Sequence, residues 1–194
     1  MKYYQELTLI PDTEINSYFI WSKLYTQLHL SLVEIQNQQG NVSIGVGFPE
    51  YIRNEEQNKL GNKLRLFATE EASLNLLNLP KWLSRLSDYV HCTSIRLVPE
   101  RINTYAIYQR YQSKTNPERL ARRYAKRNNI SLETALSKYA SFKEKRCSLP
   151  FVRLKSLTNS NPFDLFIQRK VVEELINGGF NTYGLSTKSS VPEF

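Results

Sequence analysis

Histidine and cysteine are scarce in this chain of 194 residues, with two of each. No spacing among His29, His91, Cys92 and Cys147 matches a zinc motif, and no paired-carboxylate motif stands out. A metal-dependent nuclease or hydrolase is therefore poorly supported, and no metal or cofactor is expected. Two cysteines are too few for a disulfide framework, so the chain reads as a reduced, intracellular protein. Apolar runs of membrane-spanning length are missing, and Met1 to Glu6 does not have the form of a signal peptide. The expectation is a cytoplasmic protein with no membrane association. Internal repeats and low-complexity tracts are missing as well.

What is present is globular in character: 41% hydrophobic residues and 12% aromatic, with twelve tyrosines. The length suits one large domain or two small ones. A balance of charge is lacking in only one half. Residues 1–98 hold 9 Lys/Arg and 10 Asp/Glu, whereas residues 99–194 hold 17 and 8, so the whole net charge of +8 arises in the second half. A basic half of this kind points to a polyanion, most often a nucleic acid.

The densest charge lies in Asn116 to Arg127. Asn116 is a good N-cap, Pro117 suits the first helical position, and Glu118 favours the positive end of the helix dipole. Arg119, Arg122, Arg123, Lys126 and Arg127 then follow at i, i+3, i+4, i+7 and i+8, which sets five cations on one face. Leu120 and Tyr124 fall on another face and can pack. Like charges on one face repel, so an extended anion is expected against them.

In chain order, Tyr3–Ile10 reads as a strand and Asn16–Gln36 as a helix with apolar residues every three or four positions. His29 borders that apolar face. Ser43–Phe48 and Lys63–Thr69 read as strands around a charged loop. Thr69 is expected to cap a helix that Pro80 breaks and Lys81–Asp88 resumes; Ser94–Val98 is a fourth strand. Strand, helix, two strands, helix, strand is the ferredoxin-like pattern. The second half adds a strand at Asn103–Gln112, the basic helix, and a helix capped by Ser131 and running to about Lys143. Phe151–Lys155 and Phe163–Arg169 follow as strands about a polar turn, and a last strand leads to Asn177-Gly178-Gly179. The fold class expected is α+β: a ferredoxin-like domain over residues 1–98, and an α/β domain over residues 99–194 with an arginine-rich helix at 116–128.

RNA carries its own nucleophile, the 2′-OH, so a single base can start its cleavage without metal. Histidine suits that task, with an unperturbed pKa near 6.5. A histidine beside an apolar helix face is also an ordinary structural residue, and His29 alone does not decide between the two. Arg110 and Gln112 share one side of a strand; Arg pairs with guanine and Gln with adenine, or both simply form a polar face. Phe163 can stack on a base or begin a core strand.

Several ordered blocks resemble the CRISPR-associated endoribonucleases of type I-F systems, which cut the repeats of precursor CRISPR RNA. They are Leu28-His29, Ile44-Gly45-Val46 with Phe48-Pro49, Leu60-Gly61 before Leu64-Arg65, Asn116-Pro117-Glu118-Arg119-Leu120, Leu149-Pro150-Phe151-Val152, Leu165-Phe166-Ile167, and Tyr183-Gly184-Leu185-Ser186. The resemblance runs nearly end to end. It implies a catalytic histidine at His29, a catalytic serine at Ser156 and a catalytic tyrosine at Tyr183. It implies base reading by Arg110 and Gln112, contacts near the cut by Thr158 and Asn159, and stacking by Phe163. Arg122, Arg123 and Arg127 match the arginine-rich helix, while Ala121 and Lys126 stand where arginines are expected. Asp164, next to Phe163, sets a negative charge where RNA is expected to pass.

The implied activity is metal-independent cleavage of a CRISPR RNA repeat stem-loop at the 3′ base of its stem, giving a 2′,3′-cyclic phosphate and a 5′-OH. The implied partners are that stem-loop and the other subunits of the type I-F surveillance complex, with a monomer when free. Two other readings are a non-catalytic RNA hairpin-binding subunit and a basic protein-interaction module without RNA.

Overall fold

Helix α1 (Ser17–Gln39) is the longest element, and its ends follow from its sequence. The Asn16 side chain accepts a hydrogen bond from the Tyr18 N–H at 2.9 Å, and Gly40 closes the helix in the left-handed region at φ 77°. Ile20, Trp21, Leu24, Tyr25, Leu28, Leu32 and Ile35 form one stripe, and all are buried. Each such large apolar side chain contributes about 1.5–3 kcal/mol when fully buried. The structure is a computed structural model that describes residues 1–112, 117–140, 147–156 and 158–194.

The first sheet uses β1 (Tyr3–Leu9), β2 (Gly45–Gly47), β5 (Lys63–Ala68), β6 (Val90–Cys92) and β7 (Arg96–Leu97). Its order is β2-β5-β1-β6, with β7 also on β1, and its pairings are antiparallel. Between β2 and β5 the charged loop folds into a small hairpin, β3 (Ile52–Arg53) with β4 (Asn58–Lys59). The second sheet uses β8 (Tyr105–Tyr111), β9 (Phe151–Lys155), β10 (Pro162–Val172) and β11 (Val191–Pro192), in the antiparallel order β11-β8-β10-β9. The result is a mixed α/β fold.

Some elements differ from the sequence expectation, each for a local reason. The fourth strand, expected at Ser94–Val98, is only the short β7, and β6 precedes it; between them the Thr93 hydroxyl accepts from the Glu6 N–H at 3.1 Å and the Thr93 N–H donates to the Glu6 carbonyl at 3.0 Å. Thr69 caps no helix: α2 (Glu71–Leu76) starts after Glu70, whose side chain makes no capping bond. Pro80 opens rather than breaks a helix, since it stands in the first turn of α3 (Leu79–Trp82), where its missing N–H costs nothing. A 3-10 turn at Ser84–Leu86 follows. No strand leads to Asn177; β10 runs on to Val172, and the last strand is β11.

Contacts divide the chain into two compact units, residues 1–111 with 149–194, and residues 112–148. Within the first, Leu7, Leu24 and Leu64 share one core with Tyr108, Val152 and Leu165, so residues on both sides of Pro99 pack together. The second holds α4 (Pro117–Asn128) and α5 (Leu132–Lys138). Ser131 caps α5 by accepting from the Thr134 N–H at 3.1 Å. The expected cap Asn116 and the expected helix end at Lys143 lie outside the described residues. Among the described residues no helix is long and apolar enough to cross a membrane.

Candidate active site

His29 projects from the fourth turn of α1, half-buried, where the stripe meets the segment Asn181–Leu185. Its Nδ1 lies 2.8 Å from the Thr182 carbonyl oxygen. A carbonyl can only accept, so Nδ1 must carry the proton and Nε2 the lone pair. The Tyr183 ring lies parallel to the imidazole, with centroids 4.2 Å apart and planes 6° apart. The stack fixes the plane of the imidazole.

The loop that brings Tyr183 to His29 is built from its own sequence. Asn181 Oδ1 accepts from the N–H groups of Tyr183 at 2.8 Å and Leu185 at 3.2 Å. The Gly184 N–H donates to the Asn181 carbonyl, and the Gly184 carbonyl accepts from Val46 N–H. Gly184 adopts φ +69°, and a Cβ there would lie 2.4 Å from Val46 Cγ1, so only glycine fits. From α1, the Tyr25 hydroxyl donates to the Tyr183 carbonyl at 2.9 Å. Burial pushes the Tyr25 phenol well above its ordinary pKa, with the nearby Tyr183 hydroxyl a second cause.

Arg110, exposed near the end of β8, reaches the same place. Its guanidinium carbon is 5.8 Å from the Tyr183 ring centre and 5.5 Å from that of Phe163 on β10. His29, Tyr183, Arg110 and Phe163 thus form a connected series. Asp164 does not face Phe163. Successive strand residues point to opposite sides, and Asp164 is held by both nitrogens of an Arg153 fork at 2.8 and 3.0 Å.

Ser156 follows β9, the strand that packs against α1. Its N–H donates to Asn161 and its carbonyl accepts from Ser160, both at 2.9 Å, which closes the β9–β10 turn. Thr158 and Asn159 are exposed on that turn, and Asn159 Oδ1 accepts from the Asn161 N–H at 3.2 Å. Gln112 lies beyond the last residue of β8 and belongs to the second compact unit, apart from the expected shared strand face with Arg110.

On α4, Arg119, Arg122, Arg123, Lys126 and Arg127 are all exposed. Glu118 pairs with Arg122 at 3.4 Å, a contact open to water and worth little. Tyr124 packs toward α5: Lys138 Nζ donates to its hydroxyl at 2.8 Å, and the Tyr139 ring meets it edge-on at 6.2 Å. Ala121, at a position where an arginine is expected, is fully buried, as is Ala135 of α5. A small residue there lets the helices approach.

Sequence reasoning missed Tyr25, Asn181 and the Thr182 carbonyl. Tyr25 was legible as a member of the apolar stripe, and one helical turn separates it from His29. Among the described residues no group of three or more His, Cys, Asp or Glu side chains gathers as a metal site.

The family model described as CRISPR-associated protein (Cas_Csy4) matches residues 4–194. A CRISPR-associated endonuclease Cas6/Csy4 of Escherichia coli (strain UTI89 / UPEC) is 34% identical over 196 residues, covering 100% of both chains. The CRISPR-associated endonuclease Cas6/Csy4 of Pseudomonas aeruginosa (strain UCBPP-PA14) is 35% identical over 195 residues, again covering 100% of both. A solved structure described as CRISPR associated protein Cas6 aligns with 99% of this chain and 98% of its own at 14% identity, with a TM-score of 0.35 that adds nothing to the argument. Matched over nearly its whole length by the family model and over all of it by these two relatives, the chain belongs to the Cas_Csy4 family of CRISPR-associated endonucleases.

Proposed function

We propose that the protein is a metal-independent endoribonuclease that cuts CRISPR repeat hairpins in precursor CRISPR RNA at the 3′ base of the stem. The observation that carries this reading is His29 itself. Its Nδ1–H is committed to the Thr182 carbonyl, its Nε2 is the basic nitrogen, and its ring is stacked on Tyr183. Nε2 takes the proton of the 2′-OH at the cut. The 2′-oxygen then bonds to the adjacent phosphorus, the bond from phosphorus to the 5′-oxygen breaks, and that oxygen takes a proton from solvent. The products are a 2′,3′-cyclic phosphate and a 5′-OH. Tyr183 steadies the imidazole and the imidazolium it becomes. Ser156 holds the 2′-OH in line.

The remaining roles concern grip. Arg119, Arg122, Arg123, Lys126 and Arg127 of α4 hold stem phosphates. Arg110 and Gln112 read base edges at the bottom of the stem, Phe163 stacks on a base, and Thr158 and Asn159 hold the strand near the cut. The major groove of A-form RNA is too deep and narrow for side chains, but a short hairpin opens its groove where the stem ends. Many phosphate contacts favour slow product release. We therefore infer that the enzyme, monomeric and cytoplasmic when free, stays on the hairpin as a subunit of the type I-F surveillance complex. The sheet order β2-β5-β1-β6 supports a ferredoxin-like first half. The division at residues 98 and 99 is then one of charge and role, with the general base on one side and most RNA contacts on the other.

The test is incubation with the repeat hairpin in EDTA, followed by analysis of the product ends. Cleavage to a 2′,3′-cyclic phosphate and a 5′-OH supports the proposal. A 3′-OH product, or activity only with added metal, refutes it.

A further inference from the structure

The helix that carries His29 also fixes the backbone His29 depends on. Tyr25 and His29 are one turn apart on α1, and they bind two consecutive carbonyls. The Tyr25 hydroxyl donates to the Tyr183 carbonyl at 2.9 Å, and His29 Nδ1 meets the Thr182 carbonyl at 2.8 Å. Thr182 and Tyr183 are otherwise held from their own side by Asn181 and Gly184. The two consecutive peptide units, Thr182–Tyr183 and Tyr183–Gly184, are thus each held through their carbonyl by one face of a helix. Tyr25 is fully buried, so its hydroxyl has no water to bind in place of the carbonyl.

A histidine base needs the proton on the correct ring nitrogen as well as the correct pose. Where the orienting acceptor is lost, the imidazole falls into the wrong tautomer and catalysis drops steeply even though the shape of the site survives. In this chain the acceptor is a backbone carbonyl in a loop, not a side chain, so something must hold the loop. We propose that Tyr25 is a positioning residue for cleavage: its hydroxyl holds the Thr182–Tyr183 backbone so that Thr182 accepts the His29 Nδ1 proton and Nε2 stays the base. This rests on His29 being the general base and names what keeps it one.

The experiment compares Tyr25→Phe with wild type and with Tyr108→Phe. Tyr108 is a second buried phenol in the same unit, whose hydroxyl donates to the Phe48 carbonyl and to Glu193 away from His29. Tyr25→Phe keeps the buried ring and removes only the hydroxyl. It should slow single-turnover cleavage of the repeat hairpin about 10-fold, with affinity for a 2′-deoxy hairpin unchanged. Tyr108→Phe should lower stability without slowing cleavage. With only two histidines, long-range nitrogen–proton NMR can read the His29 tautomer directly. Wild type should show the Nδ1–H form and Tyr25→Phe a mixture. In a His29→Ala background, Tyr25→Phe should slow cleavage no further. Wild-type rate and tautomer in Tyr25→Phe, beside an inactive His29→Ala, would overturn this inference and leave the base assignment standing. Equal slowing by both phenylalanine variants would also overturn it. Near-normal cutting by His29→Ala would remove both.

Discussion

At the scale of single residues, the proposed chemistry rests on which atom of His29 is basic. The Thr182 carbonyl settles that by accepting from Nδ1. His29→Ala should therefore still bind the repeat hairpin tightly but cleave it ~10²-fold more slowly or worse, measured under single-turnover conditions; a rate near wild type would remove His29 from the base role. Little of this was legible in the sequence. The position of His29 beside an apolar stripe is a local property, readable from periodicity. Its partners stand 153 residues away along the chain, and those of Tyr25 158 away, and no local pattern announces such contacts. Asp164 shows the opposite case. Its charge beside Phe163 is plain in the sequence, yet strand alternation and the Arg153 fork turn it to the other side of the hairpin.

At the scale of elements, local rules held where one residue decides the outcome. Ser131 caps α5 through its own side chain, as expected from its sequence position, and Asn16, read as the first residue of its helix, caps α1. These rules misled where a residue admits two uses or a strand depends on a distant partner: Pro80 opens a helix instead of breaking one, and β6 pairs with β1 ahead of the expected fourth strand. In α4 the five exposed cations and the buried Ala121 divide the helix into an outward face and a face toward α5. Replacing Arg122 and Arg123 together by Ala should weaken hairpin binding and reduce the salt slope by about one per lost phosphate contact. Filter binding across a salt series measures this, and an unchanged slope would show that those arginines do not meet phosphate.

At the scale of the whole molecule, the core of the first unit draws on both halves of the sequence and contains two buried phenols, Tyr25 and Tyr108. Burial is the main cause that pushes both well above the ordinary value of about 10, and the carboxylate of Glu193 adds to it for Tyr108. A group whose pKa is raised by folding keeps its full stabilising effect below its unfolded pKa and loses it as pH rises beyond. Unfolding free energy from denaturant titration should thus decline above about pH 10, and Tyr25→Phe and Tyr108→Phe should each flatten the decline. The central claim is chemical: the RNA's own 2′-OH is the nucleophile and His29 its base. It is tested most directly by a repeat hairpin carrying a single 2′-deoxy nucleotide immediately before the cut, incubated in EDTA beside its all-ribose counterpart. The account predicts that both bind equally and only the all-ribose hairpin is cleaved; cleavage of the deoxy-substituted hairpin would contradict it.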